Sequence, residues 1–263
     1  MYLRALPFIL STIFTTLLPA QSFAQEPAAT PPGPAPRKAS GKILFGGAGP
    51  EDKGVWLPVF AIGAHLRPLE SIPFKPWAKA LYDTRLINQL EPHSRCKASG
   101  FVREFQTPYG VEITEIEALE KVYIFDIGGP HTYRTIYMDG RAHPRDLEPS
   151  NYGHSIGWWE DDTLVIDTVA YNQDFWLDRR GLPHTEQLHT IEKLTRTNHD
   201  TIRYEIGIDD PGAYTAPFDG EFNLRWEDGQ ELFEYVCQQA NYASELMTGT
   251  QSTSIERVSH IVP

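Results

Sequence analysis

From Tyr109 to Cys237 the chain is a succession of short strand-like segments, most of them separated by turns too short to hold a crossover. Residues 111–116 alternate in polarity. Residues 120–127 (EKVYIFDI) are rich in β-branched and aromatic side chains and stop at Gly128-Gly129-Pro130, and residues 133–138 stop at Asp139-Gly140. Residues 154–159 and 164–171 flank a hairpin signal at 160–163. Residues 186–197 and 201–209 flank Asn198-His199-Asp200, and 221–226 and 231–237 flank Asp228-Gly229. A further strand is expected within 53–66, where Pro58 marks an edge or a bulge. Consecutive antiparallel strands in this number favour an up-and-down barrel, because closure removes the exposed edges. The expected fold is mainly β, with a β-sandwich as the alternative. One helix is expected ahead of the barrel strands, at 76–90: Pro76 suits a first helical turn, an apolar stripe follows, and Pro92 ends it.

The N-terminus has the parts of an export signal. Arg4 supplies positive charge, residues 5–18 are apolar but too short to span a bilayer of about 30 Å, and Ser22-Phe23-Ala24 offers small residues for cleavage before Gln25. Residues 1–24 are therefore expected to be a cleaved signal peptide, with an uncleaved anchor as the alternative, and the mature chain to be periplasmic or secreted. Residues 25–41 are Pro/Ala-rich without apolar period and are expected to form a disordered linker. That leaves 42–263 as a single domain. The net charge of −12 disfavours nucleic acid and anionic membrane surfaces as partners. Export also bears on the two cysteines, Cys96 and Cys237: in an oxidising compartment an even pair points to a disulfide, against two buried thiols.

Several residues are candidates for chemistry. His184 and Glu186 stand two apart, and on a strand they would share a face with Leu188, turned inward. Such a buried pair needs partners. It would serve as a general base with its orienting carboxylate, or with a further histidine as ligands to a divalent metal; solvated side chains at the barrel rim are the alternative. His154 precedes Ile156 and Trp158 on one strand face, expected to be the inner one. His131 sits where a loop enters a strand. Arg134 is suited to bidentate carboxylate binding, with Tyr137 on the opposite face of the same strand. Asp209 is a candidate partner for a histidine and Tyr214 a candidate donor at a cavity mouth, although Asp-Pro-Gly is also turn chemistry. Trp176 is a candidate entrance residue and Trp158 a candidate cavity wall.

Gly54-Val55-Trp56 resembles the G-x-W of lipocalins and implies a calycin-like barrel. Five stretches in order, YMDGRAHP (137–144), GHSIGWWEDDTLVIDT (153–168), WLDRRGLPHTEQLHTIEK (176–193), IDDPGAYTAPF (208–218) and EYVC (234–237), resemble a family of exported bacterial proteins. The family pattern has Gly near Asp161 and Trp near Phe218, where this chain departs from it. The resemblance implies one exported domain and carries no reaction with it.

The sequence is read as having no α/β-hydrolase nucleophile elbow, no H-E-x-x-H, no phosphate loop and no dinucleotide fingerprint, so no nucleotide cofactor is expected. The expected function is binding of a small apolar or aromatic molecule, with cofactor-independent acid–base catalysis of the lyase or isomerase type. A non-catalytic carrier and a His/Glu metalloenzyme are the alternatives. The catalytic expectation requires His131, His154, His184 and Glu186 to converge on one cavity.

Overall fold

The computed structural model describes residues 32–59, 66–128, 132–234 and 237. The expected signal peptide lies outside the described residues. Nine strands close into one barrel in chain order: β1 (Gly54–Pro58), β2 (Val111–Ile116), β3 (Lys121–Asp126), β4 (Thr132–Tyr137), β5 (His154–Glu160), β6 (Thr163–Val169), β7 (His189–Asn198), β8 (Thr201–Asp209) and β9 (Phe218–Asp228). Every neighbouring pair is antiparallel except β4 and β5, which run parallel with Ile136 opposite Ser155 and Tyr137 opposite Ile156. The long connection 138–153 carries the chain back along the wall before β5 begins. A parallel pair needs such a return, whereas a tight turn produces an antiparallel one.

The expected last hairpin is corrected: residues 231–234 form no strand. The final strand is instead the eleven-residue β9, which pairs with β8 on one side and β1 on the other. It closes the barrel by pairing with β8 along residues 218–225 and with β1 along residues 224–228. Residues 32–41, expected in the linker, lie against the barrel. A turn joins Lys38 N to Lys42 O at 2.8 Å, Arg37 grips both carboxylate oxygens of Asp162, and His199 N donates to Gly33 O at 2.8 Å.

Ahead of β2 the chain crosses one end of the barrel. Helix α1 (Pro76–Asn88) starts at the proline and stops where Gln89 turns extended, two residues short of the expected end. A short second helix, α2 (Phe101–Glu104), was not foreseen and is wholly buried. The chain enters it at Gly100, with φ +79° and so little room that a Cβ would lie 2.1 Å from the Phe175 ring. Only glycine meets both conditions. Phe101 then packs on Tyr171 and Phe105 on Tyr204, with ring centroids 4.6 and 4.8 Å apart. The Cys96–Cys237 disulfide forms as expected and ties this segment to the chain beyond β9.

Candidate functional site

The expected convergence of histidines does not occur among the described residues, and His131 lies outside them. His184 and Glu186 precede β7 in a loop, where the two-residue strand period does not apply. His184 is buried and donates from Nε2 to the Asn172 carbonyl at 2.8 Å, while Glu186 is exposed. The His184 ring lies 4.2 Å from that of Phe175, and burial pushes its value down to about 4. A ring so placed is a strut of the loop 170–188. Tyr214 belongs to the same framework: its hydroxyl donates to Pro183 O at 2.6 Å and its ring packs on Phe74 and Phe218. Trp176 is buried too, with the Arg85 guanidinium 5.3 Å from its ring centre.

The facing of β5 is the reverse of the expected one. Ser155 and Gly157 are buried, while His154 and Ile156 are half-buried and Trp158 is exposed. The reason lies in what fills the barrel. Arg134, inward on β4, donates from Nε to Ser155 Oγ at 3.0 Å and from Nη2 to Thr168 Oγ1 at 2.9 Å. Its two terminal nitrogens clasp the Glu192 carboxylate bidentately, and Tyr204 donates to the same carboxylate at 2.8 Å. Arg134 thus does bind a carboxylate, but an internal one. A further carboxyl, Glu104 of α2, lies 3.4 Å from the guanidinium, and burial pushes it well above the usual carboxylate range. A polar interior selects Ser155 for the inside and leaves the aromatic Trp158 outside, so an apolar-in assignment fails here. The string Gly153-His154-Ser155-Ile156-Gly157 spells G-x-S-x-G, but Ser155 lies within a strand and bonds Arg134 and Thr168. It is no nucleophile elbow, which needs an exposed serine on a strand-to-helix turn.

With Arg134, Tyr171, Tyr204, Trp56, Phe101 and Phe105 fully buried, the barrel interior is occupied by its own side chains. Chemistry-bearing residues gather instead on the outer wall. His154 on β5, Asp167 on β6 and His189 on β7 all point outward, and His143 reaches over them from the connection 138–153. The Nδ1 atoms of His143 and His154 are 2.8 Å apart, so one donates to the other. His143 Nε2 is 3.4 Å from Asp167 Oδ1, and His189 Nε2 donates to that same oxygen at 2.8 Å. Tyr137 stacks on the His154 ring at 5.2 Å. Burial, with the neighbouring His143 and Arg141, holds His154 below the ordinary imidazole value.

This row ends at a groove of about 460 Å³ across β7, β8 and β9, with His189 at one side, Ile191 and Pro217 as its accessible apolar side chains, and the buried Ile208 and Phe218 beneath them. Asp209 also lines it, directly across the β7–β8 ladder from His189. Gly207 creates the depression. It faces outward between Ile191 and Asp219, and a Cβ there would meet nothing closer than the Ile191 carbonyl at 3.8 Å. A strand-interior glycine forfeits stability, so it marks a place where something else approaches the backbone. A second depression, of about 500 Å³, is lined by Asp52, His199 and Asp200 among others. There His199 is already held by both Asp52 and Asp200.

The expected sites therefore divide. His154 and Asp209 fall on one outer surface, whereas Arg134, His184, Tyr214 and Trp176 are internal supports. Sequence reasoning missed Asp167, His143 and His189, which carry no local pattern. Gly207, an isolated glycine in a strand, was the available signal. Among the described residues, no group of three or more His, Cys, Asp or Glu is arranged to hold a metal ion. Comparison with protein-family models, with curated proteins and with solved structures finds no match.

Proposed function

We propose that the protein is an exported barrel that binds an apolar or aromatic small molecule in the outer groove and acts on it by acid–base catalysis. His189 would be the base and Asp167 the carboxylate that orients it. The observation that carries this reading is the 2.8 Å His189–Asp167 hydrogen bond at the side of a mainly apolar groove. With Nε2–H committed to Asp167, the His189 tautomer leaves Nδ1 as a bare acceptor. A proton taken from substrate at Nδ1 makes an imidazolium, whose charge the adjacent carboxylate stabilises. Such a proton removal opens β-elimination by lyases and proton-shift isomerisation by isomerases. His143, with Nε2 3.4 Å from the same carboxylate oxygen and Nδ1 hydrogen-bonded to His154, continues the row of imidazoles away from the groove.

Export is supported by the signal-like residues 1–24 and by a disulfide of the kind that persists in oxidising compartments. The resemblance of five motifs to exported bacterial proteins points the same way.

Because the reaction is unspecified, the test follows the proton. The protein is incubated in D₂O with a library of apolar and aromatic carbonyl compounds, alcohols and amines, and deuterium entering carbon positions is read by mass spectrometry. Exchange by the wild type that falls by a factor of about 100 or more in His189→Ala is expected, the usual scale for a lost general base. Exchange undiminished in that variant removes His189 from the role. A ligand that binds in the groove and is recovered without deuterium makes the protein a carrier instead.

A further inference from the structure

Resting on the groove assigned above, we infer that its ligand is an amine cation with an apolar or aromatic body, and that Asp209 is the residue that selects it. The body is matched by Ile191 and Pro217, the apolar side chains of the lining that reach the surface, with the buried Ile208 and Phe218 beneath them and the Arg67 guanidinium over the Phe218 ring. The charged groups facing this space are unbalanced. Asp167 is shared by His189 and His143, neither of which brings a positive charge while neutral. Asp219 meets Arg67 at 3.3 Å, and Arg67 is its only cation among the described residues. The Asp209 carboxylate has no hydrogen bond or ion pair among the described residues, although Asp209 lines the groove and stands opposite His189. Two carboxylates, Asp209 and Asp219, thus line the groove against one guanidinium, Arg67, which is taken by Asp219, on a chain of net charge −12. A carboxylate ligand would be repelled there. An ammonium group would find its partner in Asp209 while its apolar body covers Gly207.

The placement also relates the anchor to the proposed base. Residues directly opposite on an antiparallel pair have Cβ atoms about 5 Å apart. An ammonium held by Asp209 therefore sets the carbon beside it within reach of His189, which makes Asp209 a determinant of both affinity and positioning.

Three probes of one size separate charge from shape: 2-phenylethylamine, 2-phenylethanol and 3-phenylpropionate. Binding is followed by backbone amide NMR of the intact disulfide-bonded protein, with Ile191, Gly207 and Phe218 as reporters. All three shifting these reporters, with the amine binding about tenfold tighter than the alcohol and the carboxylate weakest, is the expected result. In Asp209→Asn the amine preference should collapse while the alcohol binds as before, and added salt should weaken only the amine in the wild type. Equal binding of amine and alcohol, or a preference that survives Asp209→Asn, overturns the inference and leaves the groove standing. If no probe moves the groove reporters, the groove reading itself falls and takes the inference with it.

Discussion

His184 makes the stability of the fold depend on pH in a way that one substitution isolates. The ring is buried, its Nε2–H is committed to the Asn172 carbonyl, and its Nδ1 has no hydrogen-bond partner among the described residues. Protonation would put an N–H donor and a charge into that site. Burial is the chief cause of its low value, opposed by the Asn172 bond and by Asp210 and reinforced by Arg85. The folded value, about 4, lies below the unfolded one of 6.5, so the fold favours the neutral ring. The resulting stabilisation is complete above pH 6.5 and is lost as pH falls toward 4. The shift is worth about 3 kcal/mol, a large share of a typical domain's stability. In His184→Leu the Asn172 bond disappears, which costs about 1 kcal/mol at pH 7, but the titration disappears with it. Urea unfolding followed by tryptophan fluorescence, with the disulfide intact, gives stability at each pH from 7.5 to 4. The wild-type curve should be steeper than the variant's by about one proton between 6.5 and 4, and the two should cross. His93, which burial also pushes down to about 4, and Asp126, which burial raises to about 6, titrate in both proteins and cancel in the difference. Parallel curves would refute the burial argument.

Arg134→Met strands the Glu192 carboxylate inside the barrel and should destabilise by about 3–5 kcal/mol. Adding Glu192→Leu should recover a large part of that loss in the same urea assay, and a double variant no better than the single one would show that the pair is not the source. Cys96→Ser with Cys237→Ser opens a link spanning 141 residues; the chain-entropy scale predicts a loss of about 5 kcal/mol, measured as a fall in the urea midpoint against the oxidised wild type. Gly207→Val should do two things at once. It should raise stability by about 0.5–1 kcal/mol, because a strand-interior glycine is replaced where the Cβ has room, and it should abolish binding of the phenylethyl probes by filling the groove. Stabilisation with binding intact would place the ligand elsewhere.

The barrel was legible because its signals are local. Alternation sets strands, Asn-His-Asp and Glu-Asp-Asp-Thr set turns, and closure follows from the number of edges to be removed. The parallel β4–β5 pair was not legible, since nothing in residues 138–153 states which way the next strand runs. The facing of β5 depended on something more distant. Arg134 and Glu192 lie 58 residues apart and meet only when the barrel closes. Until they meet, Ser155 and Gly157 look like the solvent side and Trp158 like the core. One long-range polar pair thus inverts the assignment of a strand whose local pattern is ambiguous. The same inversion decides where chemistry can occur. With the interior taken up by Arg134, Glu192 and the rings of Phe101 and Phe105, histidines expected inside either become supports, as His184 does, or emerge on the outer wall, as His154 does. An outer-wall site has no apolar periodicity to announce it, because its residues alternate with the core. What betrays it is a departure from good strand composition: Gly207, in the middle of β8, forfeits stability that almost any other residue would add, and forms no turn in return.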